Sequence, residues 1–273
     1  RPTVWNRTAH KADPLVLEGA RPAAAIDAAV EAGDVIVVCL PAYADVTAVL
    51  EPVADSLAGR TIVNLSSGTP DGARSMARWL DALGADYLDG AAMSGTRLGG
   101  DPTALFLYSG LSTTFGSACP LLEWFGRAVH VGADPGAAAL HDTALLTVNL
   151  GLLGGFYHAA PMMRAGGIDV PTFATLTADY LPFAVGLVGT HARDAADGEY
   201  PGDDGTLDVY AAAVDHVVTT SEQLGLSTDV PTGLRRLITR AVLAGHGADG
   251  LARLIDTVGS PAPDEDRQAA ILY

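Results

Sequence analysis

A chain of 273 residues, 49% of them hydrophobic, is long enough to bury a substantial core and too apolar to stay unfolded. Sixteen basic residues stand against 32 acidic ones, a formal net charge of −16. That balance argues against nucleic acid and anionic membrane as ligands, because both select basic surfaces. The two cysteines, Cys39 and Cys119, imply no disulfide framework and a reducing compartment, so a cytoplasmic protein is expected. No signal-peptide pattern opens the sequence. The longest apolar stretch, Thr143 to Met163, contains Asn149 and His158 and is expected to be a buried helix rather than a membrane span.

Short β-rich runs begin at Thr3 (TVWNRT), Asp34 (DVIVVCL), Thr61 (TIVNLS), Asp86 (DYLDGAAM), Ala104 (ALFLYSG) and Ala128 (AVHVG). Alanine-rich segments of helical period lie between several of them, including YADVTAVLEPVADSL and TPDGARSMARWLDALG. The second has its own start signal, Thr69 as N-cap and Pro70 at the first helical position. Near-continuous apolar strands separated by helices predict a doubly wound α/β domain, a parallel sheet covered on both faces. After Gly132 the pattern becomes helical, first from Pro135 to Gly166 and then in three or four more helices to about Val258. DGEYPGDDG and LGLSTDVP punctuate them, and SPAPDEDRQAAILY reads as a loosely held tail. The expected domains are 1–134, α/β, and 135–273, all-helical.

The first strand-like run ends in Asn6, Arg7 and Thr8, with Lys11 three residues on. In a dinucleotide-binding fold the end of the second strand meets the adenosine ribose, where an acid selects NAD and arginine accommodates the 2′-phosphate of NADP. No carboxylate stands here. Arginine, hydroxyl and ammonium groups in one short turn suit a phosphate. A solvated turn is the plainer reading of single basic residues, but Lys11 is the one lysine in the chain, which favours NADP(H). The glycine-rich turn that partners such a cluster is expected about 20 residues upstream. Roughly 30 further N-terminal residues, one strand–turn–helix unit, are therefore expected before Arg1. The literal G-x-G-x-x-G at Gly245–Gly250 lies between two late helices and reads as an inter-helix turn.

WNRTxxKA, CLPAYADV, IVNLSSGTPDGAR, ALFLYSG, GAAALHDTALL and DGEY together resemble the NADPH-dependent imine reductases of the β-hydroxyacid dehydrogenase superfamily. The resemblance implies a Rossmann domain, a long interdomain helix and a helical domain exchanged within a homodimer. It implies hydride transfer from NADPH to the C=N carbon of a small imine, or of the imine formed from an amine and ketone pair. Asn6, Arg7, Thr8 and Lys11 then match the 2′-phosphate cluster, and Cys39, Leu40 and Pro41 the loop along the cofactor. Asn64, Ser66, Ser67 and Thr69 match the segment beside the nicotinamide, with Ser67 where related reductive aminases carry asparagine. Asp142 matches an aspartate of the substrate site. Eight residues later, where a tyrosine or aspartate proton donor is usual, this chain has Leu150. Tyr180 and Tyr210 are the candidate replacements, or water serves. Ser67, Leu150, Phe156 and Met162 are expected to line a mostly apolar pocket.

Plainer readings exist for several of these residues. Asp142 sits in an apolar helix, where a carboxylate is costly unless paired or facing a cavity; pairing with His141 or a backbone amide is the alternative. His158 and His216 are isolated and read as satisfied histidines, Met162 and Met163 serve equally well as core, and no cluster has metal-ligand spacing. A β-hydroxyacid dehydrogenase would need an acid/base lysine, and the family pattern puts Leu140 at that place. A non-catalytic NADP-binding protein is the remaining alternative, kept open by Leu150 and Ser67.

Overall fold

The computed structural model describes residues 1–94 and 101–260; the acidic tail lies outside them. The chain forms two compact units that divide between Asn149 and Leu150. The first contains strands β1 (Thr3–Val4), β2 (Arg21–Pro22), β3 (Val35–Val38), β4 (Thr61–Asn64), β5 (Asp86–Ala92), β6 (Leu105–Gly110) and β7 (Arg127–Gly132). Helices α1 (Asp13–Leu17), α2 (Ile26–Glu31), α3 (Tyr43–Leu50), α4 (Pro70–Ala82) and α5 (Ser112–Leu122) alternate with them. Helix α6 (Ala137–Ala165) begins in the first unit and runs into the second. All six strand-like runs of the sequence are strands. The seventh, β2, consists of arginine and proline and has no periodic signal to find.

Strands β3 to β7 form one sheet in that order, and β1 pairs with β2 in a separate two-stranded sheet. All pairs are parallel except β5 with β6, so the expected parallel sheet carries one reversed pair. A parallel neighbour requires a long crossover, usually helical. Here the chain turns back after β5, and the Met93 amide donates to the Leu105 carbonyl at 2.9 Å.

Side-chain alternation along the strands builds two cores. On one face Ile62 and Tyr87 pack with Val46 and Leu50 of α3 and Met76 and Leu80 of α4. On the other, Val63, Leu88, Phe106 and Tyr108 pack with Ala118 and Leu122 of α5. Helix α4 starts as its sequence requires: the Thr69 hydroxyl accepts from the Gly72 amide at 3.2 Å, with Pro70 behind it. The helix expected from Tyr43 to Leu57 divides at Glu51 into α3 and a 3₁₀ segment, Glu51–Ser56, because Pro52 cannot supply an interior amide.

The start of α6 is fastened to the sheet. Ser109, fully buried on β6, accepts from the Ala138 amide at 2.9 Å and donates to the Pro135 carbonyl at 2.8 Å. Arg74 of α4 adds a forked contact to Asp134, just ahead of the helix. Beyond this anchor the expectation of a buried helix fails. Of the 29 residues of α6 only Ala138 and Ala139 are buried, and Leu145, Leu146, Val148 and Leu152 are exposed. By length and composition α6 is also long and apolar enough to cross a membrane.

The second unit adds α7 (Val170–Asp197), α8 (Leu207–Gln223), α9 (Asp229–Ala241) and α10 (Leu254–Gly259). Leu207, Val214, Ile238 and Ala241 form its core. The Gly245–Gly250 motif begins in the π-helical turn Val242–His246 after α9 and ends at a bridge between Gly250 and Thr206, so it is the inter-helix connection its position implied.

Replacing Ser109 with alanine leaves an amide and a carbonyl at the start of α6 without their partner. Ser109→Ala should lower stability by about 1–3 kcal/mol in urea unfolding. A midpoint equal to wild type would show that the anchor contributes nothing.

Candidate active site

Polar side chains gather where β3 and β4 end, beside the middle of β5. In open α/β sheets ligands bind at the carboxyl ends of strands. Asn64, the last residue of β4, is completely buried. Its amide donates to the Tyr87 hydroxyl at 3.2 Å, and its carbonyl oxygen accepts from the Ser66 amide at 3.0 Å. Ser66 is buried in turn, and its hydroxyl accepts from the Leu40 amide at 3.0 Å. These two side chains are therefore taken up inside the protein. They tie the loop after β4 to the Cys39–Leu40–Pro41 loop after β3, while Ser67 and Cys39 remain exposed.

Three residues that the sequence reading passed over complete this corner. Asp89 of β5 is 1% exposed, and its Oδ1 accepts from the Tyr43 hydroxyl at 2.8 Å and the Tyr87 hydroxyl at 2.7 Å. Burial pushes its carboxyl up to about 6; hydrogen bonds from Tyr87, Tyr43 and Asn64 oppose that rise, and the charge of Asp142 adds to it. Both phenols are held above their ordinary range, by burial first and by the Asp89 charge next. The Tyr43 ring lies close to Gly68, in the loop after β4, and to Gly72, in the first turn of α4. A Cβ at Gly68 or Gly72 would come within 2.7 or 2.6 Å of it, so a side chain at either position would displace the ring. The available signal was parity: Asp89 shares a face with the core residue Tyr87, and an acid at an inward strand position is expensive.

Asp142 reaches the same corner from α6. It is half-buried, and loss of solvent raises its carboxyl above the usual range. His141 does not pair with it; its Nδ1 contacts the Ala137 carbonyl at 2.7 Å. Among the described residues Asp142 has no ion-pair partner, so the pairing alternative is not observed.

At the end of β1 the Asn6 side chain accepts from the Thr8 amide at 2.9 Å, and the Lys11 amide donates to the Thr8 carbonyl at 2.9 Å. This closed turn leaves the Arg7, Thr8 and Lys11 side chains exposed, with no ion pair on either cation among the described residues. Two unpaired cations and a hydroxyl on one turn fit the 2′-phosphate of NADP.

The remaining candidates belong to the second unit. Tyr180, on α7, is exposed beside Phe183. Tyr210, on α8, packs over Gly205. Leu150, Phe156 and Met162 do not share a face, since positions six apart on a helix are rotated by about 240°. They point to three sides of α6, and Phe156 is stacked on Phe173 of α7, ring centroids 5.9 Å apart. One copy of α6 does not gather them into one lining. His158 is satisfied by the Ser221 hydroxyl at 2.9 Å, and no metal-binding cluster occurs among the described residues.

Comparison with known proteins bears on the whole chain. Residues 2–132 match the NAD binding domain of 6-phosphogluconate dehydrogenase, and residues 134–260 match the C-terminal domain of NADPH-dependent reductive aminase-like proteins. An NADPH-dependent reductive aminase from Aspergillus oryzae is 36% identical over 93% of this chain and 88% of its own length. A reductive aminase from Aspergillus terreus, solved with NADPH4, cyclohexanone and allyl amine, superposes with a TM-score of 0.88 at 39% identity, covering 93% of this chain and 89% of that one. An imine reductase from Bacillus cereus does so with a TM-score of 0.86 at 30% identity, covering 95% and 91%. With a Rossmann-type unit, a helical unit and these relatives along nearly its full length, the chain belongs to the family of NADPH-dependent imine reductases and reductive aminases.

Proposed function

We propose that this protein reduces the C=N bond of small imines and iminium ions to amines, with NADPH as hydride donor. The observation that carries the reading is the charge of the corner: Asp142 is half-buried, unpaired among the described residues, and close enough to Asp89 for its charge to raise that acid. An acidic, poorly solvated site stabilises a cationic iminium and repels the carboxylate of a hydroxyacid. Leu140, standing where a hydroxyacid dehydrogenase needs lysine, agrees with this.

Bound NADPH supplies the hydride. Asn6 shapes the turn from which Arg7, Thr8 and Lys11 hold the 2′-phosphate. Cys39, Leu40 and Pro41 lie along the cofactor, and exposed Ser67 borders the reacting carbon. Asn64 and Ser66, with no free polar side-chain surface, act by holding the loops that carry those contacts. Asp142 faces the substrate cation. An iminium needs no proton, whereas a neutral imine does; Tyr210 or Tyr180 from the helical unit, or water, provides it because Leu150 cannot.

The functional protein in this reading is a cytoplasmic homodimer, with domains 1–134 and 135–273. The apolar side chains that α6 and α7 leave exposed, among them Leu145, Val148, Leu176, Phe183 and Val188, are the surface a second copy covers. Residues such as Leu150 then line a pocket completed by the partner.

Three outcomes follow. Arg7→Ala removes charge-assisted bonds worth roughly 1.5–3 kcal/mol each, so the KM for NADPH should rise at least about tenfold while that for NADH changes little. An unchanged KM for NADPH would reject the phosphate assignment. Asp142→Asn should reduce kcat/KM for a cyclic imine by roughly 10²-fold with the melting temperature preserved. If instead it only melts earlier, Asp142 is structural, and a comparable loss in Tyr210→Phe or Tyr180→Phe would identify the proton donor separately. Light scattering at micromolar concentration should give twice the mass of one chain; an active monomer would contradict the dimer.

A further inference from the structure

We propose that Asp89 is a second carboxylate of the Asp142 site: a positioning residue that sets the direction of the Tyr43 hydrogen bond and adds its charge opposite the cationic substrate. The proposal rests on the imine-reducing reading above and goes beyond it, because it gives a working role to a buried acid that the reaction scheme leaves unused.

The placement follows from the sheet register. Asp89 lies opposite Asn64 on β4 and opposite Ser109 on β6, so the three side chains share one face. Ser109 is the residue that fastens Ala138 at the start of α6. Asp142 is four residues further along, about one helical turn. The contact that anchors the helix thereby sets Asp142 beside the strand position occupied by Asp89. Tyr43 closes the arrangement from α3, its hydroxyl on Asp89 and its ring against Gly68 and Gly72, next to exposed Ser67.

A phenol has one proton to donate. While Asp89 is ionised, that proton is committed to Asp89 Oδ1, and the Tyr43 oxygen offers only lone pairs elsewhere. It can then accept from an N–H of an iminium or amine but cannot donate. Protonation of Asp89 removes both the obligation and one negative charge. The titratable groups facing Asp89 among the described residues are Tyr87 on its own strand, Tyr43 from α3 and Asp142 from α6. Asn64 and Ser109, from β4 and β6, do not titrate.

The sign of the pH effect is fixed by these partners. As pH falls through about 6, Asp89 takes up a proton, the site loses a charge, and reduction of a cation slows. Asp89→Asn removes the group that titrates there, and it also removes the charge that opposes ionisation of Asp142, so the acid limb should move to lower pH. Tyr43→Phe removes a hydrogen bond that favours the Asp89 carboxylate, so the limb should move to higher pH.

The test is the pH dependence of kcat/KM between pH 5 and 8.5 at saturating NADPH, with a quaternary cyclic iminium salt as substrate. Such a cation needs no proton, so the profile reports the charge of the site alone. Opposite displacements in the two variants are expected. At pH 7.5 Asp89→Asn should also lose on the order of tenfold in kcat/KM, the scale of one charge removed several ångström away in a partly buried site, with the KM for NADPH unchanged. Limbs that stay in place, or move the same way, would overturn the proposal, as would a loss in stability alone. If Asp89→Asn does not fold, the direction of the Tyr43→Phe limb decides by itself. Wild-type protein that oxidises no NADPH with the iminium would instead refute the imine-reducing reading, so the two failures are told apart.

Discussion

The anchoring of α6 through Ser109 is the contact on which the chemistry of the first unit depends. A 29-residue helix with two buried side chains in its own chain has little packing to hold its direction. Its start is fixed by one hydroxyl that satisfies an amide and a carbonyl on either side of the entry turn, with the Arg74 fork to Asp134 beside it. Those two groups are among the helix-end and entry groups that must find partners when buried. Because Ser109 shares a face with Asn64 and Asp89, the same contact that completes the helix end also brings Asp142 to the polar corner of the sheet.

That corner shows how a fold tolerates a buried acid. Asp89 is nearly inaccessible, and a carboxylate moved out of water is costly unless hydrogen-bonded. Two phenols donate to one of its oxygens, and one of those phenols accepts from Asn64, whose carbonyl in turn organises the Ser66 loop. Each member holds the next. The network therefore orders the backbone after β3 and β4, where the exposed residues Cys39, Pro41 and Ser67 lie, although all its members except Tyr43 are buried.

The helical unit presents the opposite situation. Its long helices carry apolar side chains that are exposed among the described residues, and α7 buries none of its own. Phe156 on Phe173 is a local pairing rather than a core. A surface of this kind explains why the membrane-length arithmetic for α6 is ambiguous. Apolar length alone does not separate a helix covered by protein from one covered by lipid, whereas a carboxylate at Asp142 and a ring nitrogen at His158 make lipid an expensive neighbour.

Local physics determined much of this protein in advance. Strand periodicity located six of the seven strands, Thr69 and Pro70 marked the start of α4, and Asn6-Arg7-Thr8 with Lys11 gathered cations and a hydroxyl on one turn. Each depends on neighbours along the chain and is legible in order. The tertiary structure decided what depends on residues far apart. The reversal of β6 is seen in its pairing with β5 and not in its composition. The burial of Asn64 and Ser66, and the hydrogen bonds that tie them to the neighbouring loops, depend on how β3, β4 and β5 pack. Asp89 reads as an ordinary acid in DYLDG until β4, β6, α3 and α6 meet around it, because the cost of its charge is set by packing and not by sequence.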